Sequence, residues 1–285
     1  MEFAKVGAQP LAALCLGAAL AIALPIALAL IWRFRKKERF TTILVGAATF
    51  LIFALILEKP IQNALLFPTQ MGLGEHPLSL FLNARPVLLA LAAGLFPGVF
   101  EETGRLVAFR TVLRKRKNRE TSISHGIGHG GFEAIYLLGA TYITYIAYAV
   151  MINTGAYGAL VEQTAALAPA QGDALVALAE QLADITLADV GLGLTERVFA
   201  VLFHVGASIL VFYACRDKGR FWLYPLAVVL HTVMDFIAAL HALGVIHMSV
   251  WVLEAVIAAF GILTFCGAYL LLYRKDREKL PEPRG

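Results

Sequence analysis

Long apolar stretches constrain this chain more than any other feature of its sequence. Hydrophobic residues make up 59% of its 285 positions and charged residues only 15%, whereas a soluble domain carries roughly 25% charge. Several stretches approach or exceed the ~20 apolar residues with which a helix crosses a ~30 Å hydrocarbon layer. The chain is therefore predicted to be an all-α protein, a polytopic bundle of transmembrane helices.

Seven membrane spans are predicted, and no internal repeat divides them. They cover residues 10–32, 40–57, 86–113, 127–151, 195–215, 221–243 and 249–273. The first apolar stretch is longer than the hydrophobic core of a signal peptide and ends in a basic flank, so it is expected to stay as an anchor. A single membrane domain over residues 1–285 follows.

Basic residues alternate between the loops and predict the orientation of the spans. Residues 33–39 hold five Lys/Arg, 114–119 hold five, 216–220 hold three and the tail after Tyr273 holds five, whereas 152–194 hold none. By the positive-inside rule the N-terminus is outside and the C-terminus is cytoplasmic. The net charge of +4 thus reflects topology rather than nucleic-acid binding. The expected location is the cell membrane, as a multi-pass protein of the bacterial cytoplasmic membrane, with the lipid bilayer as a partner.

Two loops are long enough to carry structure of their own. Residues 58–85 mix proline, glycine and apolar residues and are predicted to form a re-entrant or interfacial segment. Residues 155–193 contain an amphipathic run around Asp173 to Leu187, which predicts a short helix on the outer surface. A passive connector is the alternative for this second loop.

The third span contains ionisable residues that lipid does not favour. Glu101 and Glu102 are adjacent in its middle, and Arg105 follows. Each ionisable group costs ~2.5–3.5 kcal/mol to insert, so such residues face the protein interior and usually serve a function. Glu101 and Arg105 are spaced i,i+4 and can form an ion pair, while Glu102 projects about 100° away toward another partner. A purely structural pair is the alternative, but it needs only one glutamate.

The fourth span opens with a run of histidine, glycine and glutamate. His125, His129 and Glu133 are spaced i,i+4,i+8 on one helix face, and four glycines between them allow neighbouring backbones to approach closely. Imidazole and carboxylate suit zinc, although three ligands from one helix face are geometrically awkward. His125 is expected at the cytoplasmic interface, where a structural role is equally plausible.

Polar residues on later spans lie at a similar predicted depth. Counted at 1.5 Å per residue from the cytoplasmic ends, the two glutamates of the third span, His204 and His231 all lie about 15–18 Å deep. Asp235, four residues after His231, comes out at about 21 Å and Glu133 at about 9 Å. A hydrogen-bonded core histidine would explain His204 alone, and a His–Asp pair that satisfies its own hydrogen bonds would explain His231 with Asp235. The common depth of the residues instead predicts a shared site.

These residues resemble the motifs of the CAAX-protease and bacteriocin-processing superfamily (CPBP) of glutamic intramembrane peptidases. The sequence is most similar there to the YhfC family of membrane peptidases, over a core of about residues 86–240. The Glu-Glu-x-x-Arg run and the His-Gly-x-Gly-His-Gly-Gly-x-Glu stretch carry the resemblance. Arg105 comes one residue earlier than in Glu-Glu-x-x-x-Arg, and Phe-x-x-x-His is not literally present before His204.

The resemblance implies an intramembrane endopeptidase that cleaves a membrane-associated peptide or protein. Glutamate activates the water, histidines stabilise the oxyanion, and no cofactor is required. The implied catalytic residues are Glu101, Glu102, Arg105, His129, Glu133, His204, His231 and Asp235, with Arg105 holding the two glutamates in place and Asp235 orienting His231.

Three other hypotheses use the same residues. In a zinc-dependent peptidase, His129, His204, His231 and Glu102 are the metal ligands. In a proton-coupled transporter the buried acids and histidines relay protons, although the repeats common in transporters are missing from the sequence. In a binding protein without activity, the polar residues capture the substrate only.

Overall fold

The computed structural model describes residues 3–277. In chain order its helices are α1 (Ala8–Lys36), α2 (Phe40–Leu66), α3 (Pro77–Asn83), α4 (Pro86–Arg110), α5 (Glu120–Thr154), α6 (Tyr157–Leu167), α7 (Pro169–Asp184), α8 (Leu187–Arg216), α9 (Leu223–Ala242) and α10 (Val250–Asp276). All except α3, α6 and α7 are long and apolar enough to cross a membrane, which gives seven candidate spans. No β-strand occurs within residues 3–277, and the all-α prediction is confirmed.

The orientation of the spans stays a prediction. Two of the basic residues that supported it, Lys279 and Arg284, lie outside the described residues.

Several helices extend beyond the predicted spans because helical hydrogen bonding continues past the apolar stretch. Helix α5 begins at Glu120 rather than at residue 127, since its first two turns are polar but still helical. Helix α8 begins at Leu187 instead of 195, and α2 continues to Leu66 instead of ending at 57. Hydropathy detects only the apolar part of a helix, so polar helical turns at its ends are not predicted as part of the span.

Helix α2 changes its hydrogen-bonding pattern in the middle. Residues Phe50–Glu58 form a π-helix, and α-helical geometry resumes at Lys59. Pro60 has no N–H to donate and lies in the first turn of the resumed α-helix, where a proline is tolerated. Segments of π-helix occur frequently at functional sites. Shorter ones lie at Ile135–Gly139 in α5 and at Tyr269–Tyr273 in α10.

The chain forms two compact units. The first combines the chain up to Ile26 with Ala134–Arg197, and the second combines Ala27–Glu133 with the chain from Val198 onward. In the first unit, α6 and α7 bury Tyr157, Val161 and Leu182 in an apolar core. The helix predicted around Asp173 to Leu187 is present as α7, and α6 precedes it. Its position on the outer surface of the membrane stays a prediction. The prediction of one membrane domain with a core at residues 86–240 is not tested by this division.

Glycines let the helices of the second unit approach at backbone distance. A Cβ atom added to Gly126 in α5 would lie 2.5 Å from the Cα atom of Val205 in α8. A Cβ atom on Gly94 in α4 would lie 2.6 Å from the backbone nitrogen of Phe236 in α9. The close approach expected from the glycines of the fourth span is therefore present.

The Gly126→Ala substitution is expected to destabilise the protein. The new methyl group meets backbone rather than a flexible side chain, so α5 and α8 must move apart, at a cost of about 1–3 kcal/mol. The measurement is the thermal unfolding midpoint in detergent. Gly267→Ala is the matched control, because a Cβ atom there has no neighbour within 4 Å. Equal midpoints for the two variants would contradict the close contact.

Candidate metal and catalytic site

The second unit brings all eight predicted site residues into one connected cluster. Helix α4 supplies Glu101, Glu102 and Arg105, and α5 supplies His129 and Glu133. Helix α8 supplies His204, and α9 supplies His231 and Asp235. Seven of the eight are buried, and the Asp235 side chain is 32% exposed. The structure brings these residues together, while their chemical roles stay predictions.

Arg105 links three side chains of the cluster. Its guanidinium is completely buried, pairs with Glu102 Oε1, lies 3.9 Å from Glu101 Oε2 and donates to Nδ1 of His204. The sequence predicted Glu101 at i,i+4 as the partner, but the shorter contact is to Glu102 at i,i+3. Both spacings lie within reach of a long side chain on one helix surface. Arg105 therefore anchors both glutamates and connects α4 to α8.

A second chain of contacts runs from α4 to α9. Nδ1 of His231 lies 2.8 Å from Glu102 Oε1, and its Nε2 lies 3.5 Å from Asp235 Oδ2. The predicted pairing of His231 with Asp235 is thus present. The imidazole connects a fully buried carboxylate with a partly exposed one, a path along which a proton can reach the site.

Two carboxylate–imidazole pairs face each other between α4, α5 and α8. Nε2 of His129 lies 2.8 Å from Glu101 Oε2, and Nε2 of His204 contacts Glu133 Oε2. The centres of the His129 and His204 rings are 4.9 Å apart. Nδ1 of His129 is buried, without a hydrogen-bond partner among the described residues.

These side chains fit a divalent metal ion. One donor atom each of Glu101, His129 and His204 lies within 4.8 Å of the other two. Two imidazoles and a carboxylate form a ligand set of catalytic zinc sites. The buried charged groups of the cluster are Glu101, Glu102, Glu133 and Arg105, while Asp235 is partly exposed. With neutral histidines the buried groups carry two formal negative charges in total, which a divalent cation balances.

The metal ligands predicted from sequence are only partly in this group. His129 and His204 belong to it, but Glu102 and His231 bond to each other instead, and Glu101 takes the carboxylate position. The i,i+3 and i,i+4 spacings on α4 could not decide which glutamate faces α5.

The predicted depth of Glu133 is wrong. Counted from residue 127 it came to about 9 Å, but α5 begins at Glu120, so Glu133 lies about 20 Å along the helix. Its side chain contacts Nε2 of His204, so Glu133 joins the other site residues. The depth was counted from residue 127 because the polar first turns of α5 were not recognised as part of the helix.

His125 is completely buried among the helices, and its expected position at the cytoplasmic interface stays a prediction. Its ring nitrogens lie 3.3 Å from Thr49 Oγ1 in α2 and 3.2 Å from Ser208 Oγ in α8. Both nitrogens are thus satisfied by hydroxyl groups, and His125 joins α5 to its neighbours one turn before His129.

Glu58 is a buried acid that the sequence analysis missed. It ends the π-helical segment of α2, its side chain is completely buried, and Oε1 pairs with Lys59 Nζ at 3.2 Å. Its other oxygen has no hydrogen-bond partner within residues 3–277. An acid directly after an apolar run is the signal that would have indicated it.

The fold and the cluster define a multi-pass membrane protein with a buried glutamate–histidine site. A family model described as YhfC intramembrane metalloprotease matches residues 20–258. The membrane protein YhfC of Bacillus subtilis (strain 168) is 31% identical over 257 residues, which cover 87% of this chain and 92% of that protein. The chain belongs to the YhfC family.

The family assignment decides some of the predictions and leaves others open. The resemblance to YhfC is confirmed, whereas the relationship to the CPBP superfamily stays a prediction. The family description supports a membrane protease and makes a metal cofactor plausible. It does not confirm the glutamic mechanism or the absence of a cofactor. No solved structure matches the chain.

The Arg105→Met substitution is expected to cost about 3–5 kcal/mol of stability, because it leaves the buried Glu102 without its counter-charge. Adding Glu102→Gln removes that uncompensated charge, so the double variant is expected to regain part of the loss. Reversible unfolding of Arg105→Met, Glu102→Gln and the double variant in mixed micelles measures the coupling. Strictly additive losses would show that the two side chains do not depend on each other.

Proposed function

We propose that this chain is a metal-dependent intramembrane endopeptidase. It hydrolyses a peptide bond of a membrane-associated peptide or protein, in a site formed by α4, α5, α8 and α9. The observation that carries the proposal is the buried group of Glu101, His129 and His204, whose donor atoms converge from three helices. The family description supports the same activity.

Glu101, His129 and His204 would hold the metal ion, and zinc suits this mixture of imidazole and carboxylate. A bound ion would replace hydrogen bonds that occupy these side chains in this structure, namely the bond of Glu101 with His129 and a bond of His204 with Arg105 or Glu133. When bound, zinc lowers the pKa of a coordinated water and polarises a carbonyl oxygen. Glu101 Oε2 now accepts from Nε2 of His129. That direct contact shows that both atoms point into the same small space.

Glu133 is the general base of the proposed reaction. It lies at the edge of the cluster, is 9% exposed, and reaches Nε2 of His204. The water oxygen bonds to the carbonyl carbon of the scissile peptide while Glu133 takes one of its protons. The carbon–nitrogen bond then breaks, and Glu133 delivers that proton to the leaving nitrogen.

The second carboxylate of the Glu-Glu pair has a different role. Glu102 Oε1 is shared by Arg105 and His231, and the residue is completely buried, so it does not reach a substrate. It holds Arg105 and His231 in place. His231 and the partly exposed Asp235 supply protons and orient the carbonyl group.

A metal-free glutamic peptidase is the second candidate. The Glu101–His129 contact at 2.8 Å and the contact of Glu133 with His204 give two carboxylate–imidazole pairs that can move a proton without a metal. Cleavage that survives strong chelation, by protein that contains no metal, would favour this candidate. Proton flux in proteoliposomes without cleavage would favour the transporter.

Purified protein is expected to contain about one zinc ion per chain, measured by elemental mass spectrometry. His129→Gln is expected to lose it, because the amide replaces an imidazole donor. His125→Gln is the matched control, since His125 lies one turn away on the same helix and is equally buried, but bonds to hydroxyl groups. Equal zinc contents in the two variants would refute the ligand assignment.

Glu133→Gln is expected to lower cleavage of a membrane-peptide library by about 10²–10⁴-fold, the usual contribution of a general base. Its zinc content is expected to stay at the wild-type level, because Glu133 is not one of the proposed ligands. Glu120→Gln serves as the control, since Glu120 lies at the start of the same helix, away from the site. Cleavage by Glu133→Gln at the wild-type rate would rule out the proposed base.

A further inference from the structure

A concave pocket lies between the α1–α2 linker and the segment that follows α4. Its volume is about 630 Å³. The lining comes from two short stretches of the second unit, namely Lys37, Glu38, Arg39, Thr111, Val112, Arg114, Lys115, Arg116, Lys117 and Asn118. We refer to these residues as the basic pocket. None of them belongs to the cluster of glutamates and histidines.

The basic pocket is strongly positive. Six of its residues are lysine or arginine and only Glu38 is acidic, so five formal positive charges remain. Glu38 is 7% exposed and accepts hydrogen bonds from Thr42 Oγ1 at 3.1 Å and from the Asn118 amide. Its carboxylate is thereby occupied within the protein. Among the described residues, no carboxylate forms a salt bridge with the six cations.

The backbone at the pocket adds to this potential. Helix α2 begins at Phe40, and its N-cap residue, Arg39, makes no side-chain cap. The N–H group of Thr42 donates to the Arg39 carbonyl at 3.0 Å. The N–H groups of Phe40 and Thr41 and the positive end of the helix dipole are available beside the cations. Lys37 has a φ of 53°, and it is the one non-glycine residue with positive φ in the described part of the chain. Residues in such strained conformations cluster at ligand-binding clamps and active sites.

The position of the pocket indicates where its ligand resides. It lies where the spans α1 and α4 end and where α2 begins, which is the level of lipid headgroups. Large apolar side chains are exposed at these helix ends, namely Val112 in the pocket lining (69% exposed) and Phe34 in the last turn of α1 (73% exposed). A ligand there meets cations and apolar side chains together.

We propose that the basic pocket binds the phosphate of an anionic phospholipid, with the headgroup between the two linkers and the acyl chains along the adjoining helices. A phosphate offers several acceptor oxygens to lysine and arginine side chains and to helix N-terminal N–H groups. Basic pockets between membrane helices are known to take anionic headgroups. This site is independent of the proposed peptidase activity.

Native mass spectrometry of the full chain with phosphatidylglycerol or phosphatidylcholine tests the proposal. Wild-type protein is expected to retain phosphatidylglycerol in preference to phosphatidylcholine. The double variant Arg114→Gln/Lys115→Gln is expected to weaken phosphatidylglycerol binding by about 30-fold, which corresponds to two basic residues near an anionic surface. If the double variant cannot be purified, Arg114→Gln alone gives the same test, with a loss of about fivefold.

Arg33→Gln/Arg35→Gln is the matched control. It removes the same charge from the end of α1 on the same side of the membrane, but neither residue lines the pocket. It is expected to leave the binding unchanged. An equal loss in both double variants would show diffuse attraction and overturn the site. Equal retention of both lipids would also overturn it. Displacement of phosphatidylglycerol by millimolar pyrophosphate would instead identify a soluble phosphate compound as the ligand.

Discussion

The guanidinium of Arg105 is the charge around which the second unit is arranged. Placing an arginine in the middle of a membrane span costs ~2.5–3.5 kcal/mol or more, and the protein offsets that cost with carboxylates. Arg105 pairs with Glu102, lies near Glu101 and donates to His204 on another helix. Glu102 in turn fixes His231 on a third helix. Loss of this one charge would leave two buried glutamates without compensation.

Close packing of backbones allows such short side chains to meet. The added Cβ atoms of Gly94 and Gly126 would lie 2.5–2.6 Å from backbone atoms of the facing helices. Helix pairs that approach this closely bring glutamate and histidine within hydrogen-bond distance, as in the 2.8 Å contact of Glu102 on α4 with His231 on α9. Small residues thus allow α4 to pack against α9 and α5 against α8, because lipid supplies little hydrophobic driving force for helices to associate.

The sequence predicted the fold class, the number of spans and the eight residues of the cluster, because each rests on a cost that lipid imposes. Long apolar runs predict membrane spans, and ionisable residues within a span predict a buried polar site. The partner of Arg105 was not predictable, since i,i+3 and i,i+4 neighbours are equally accessible to a long side chain. The start of α5, from which the depth of Glu133 was counted, was missed because polar turns extend the helix to Glu120. Glu58 was missed because α2 continues, through a π-helical segment, past the charged residues that seemed to end it.

The central claim is that a metal ion is held by two histidines and a glutamate inside the membrane domain. X-ray absorption at the zinc edge of the purified, metal-loaded protein tests it most directly. The expected spectrum contains two imidazole ligands with Zn–N distances of about 2.0–2.1 Å and oxygen donors in the remaining positions. A spectrum with thiolate sulfur, or with no imidazole scattering, would place the metal elsewhere and contradict the assignment of Glu101, His129 and His204.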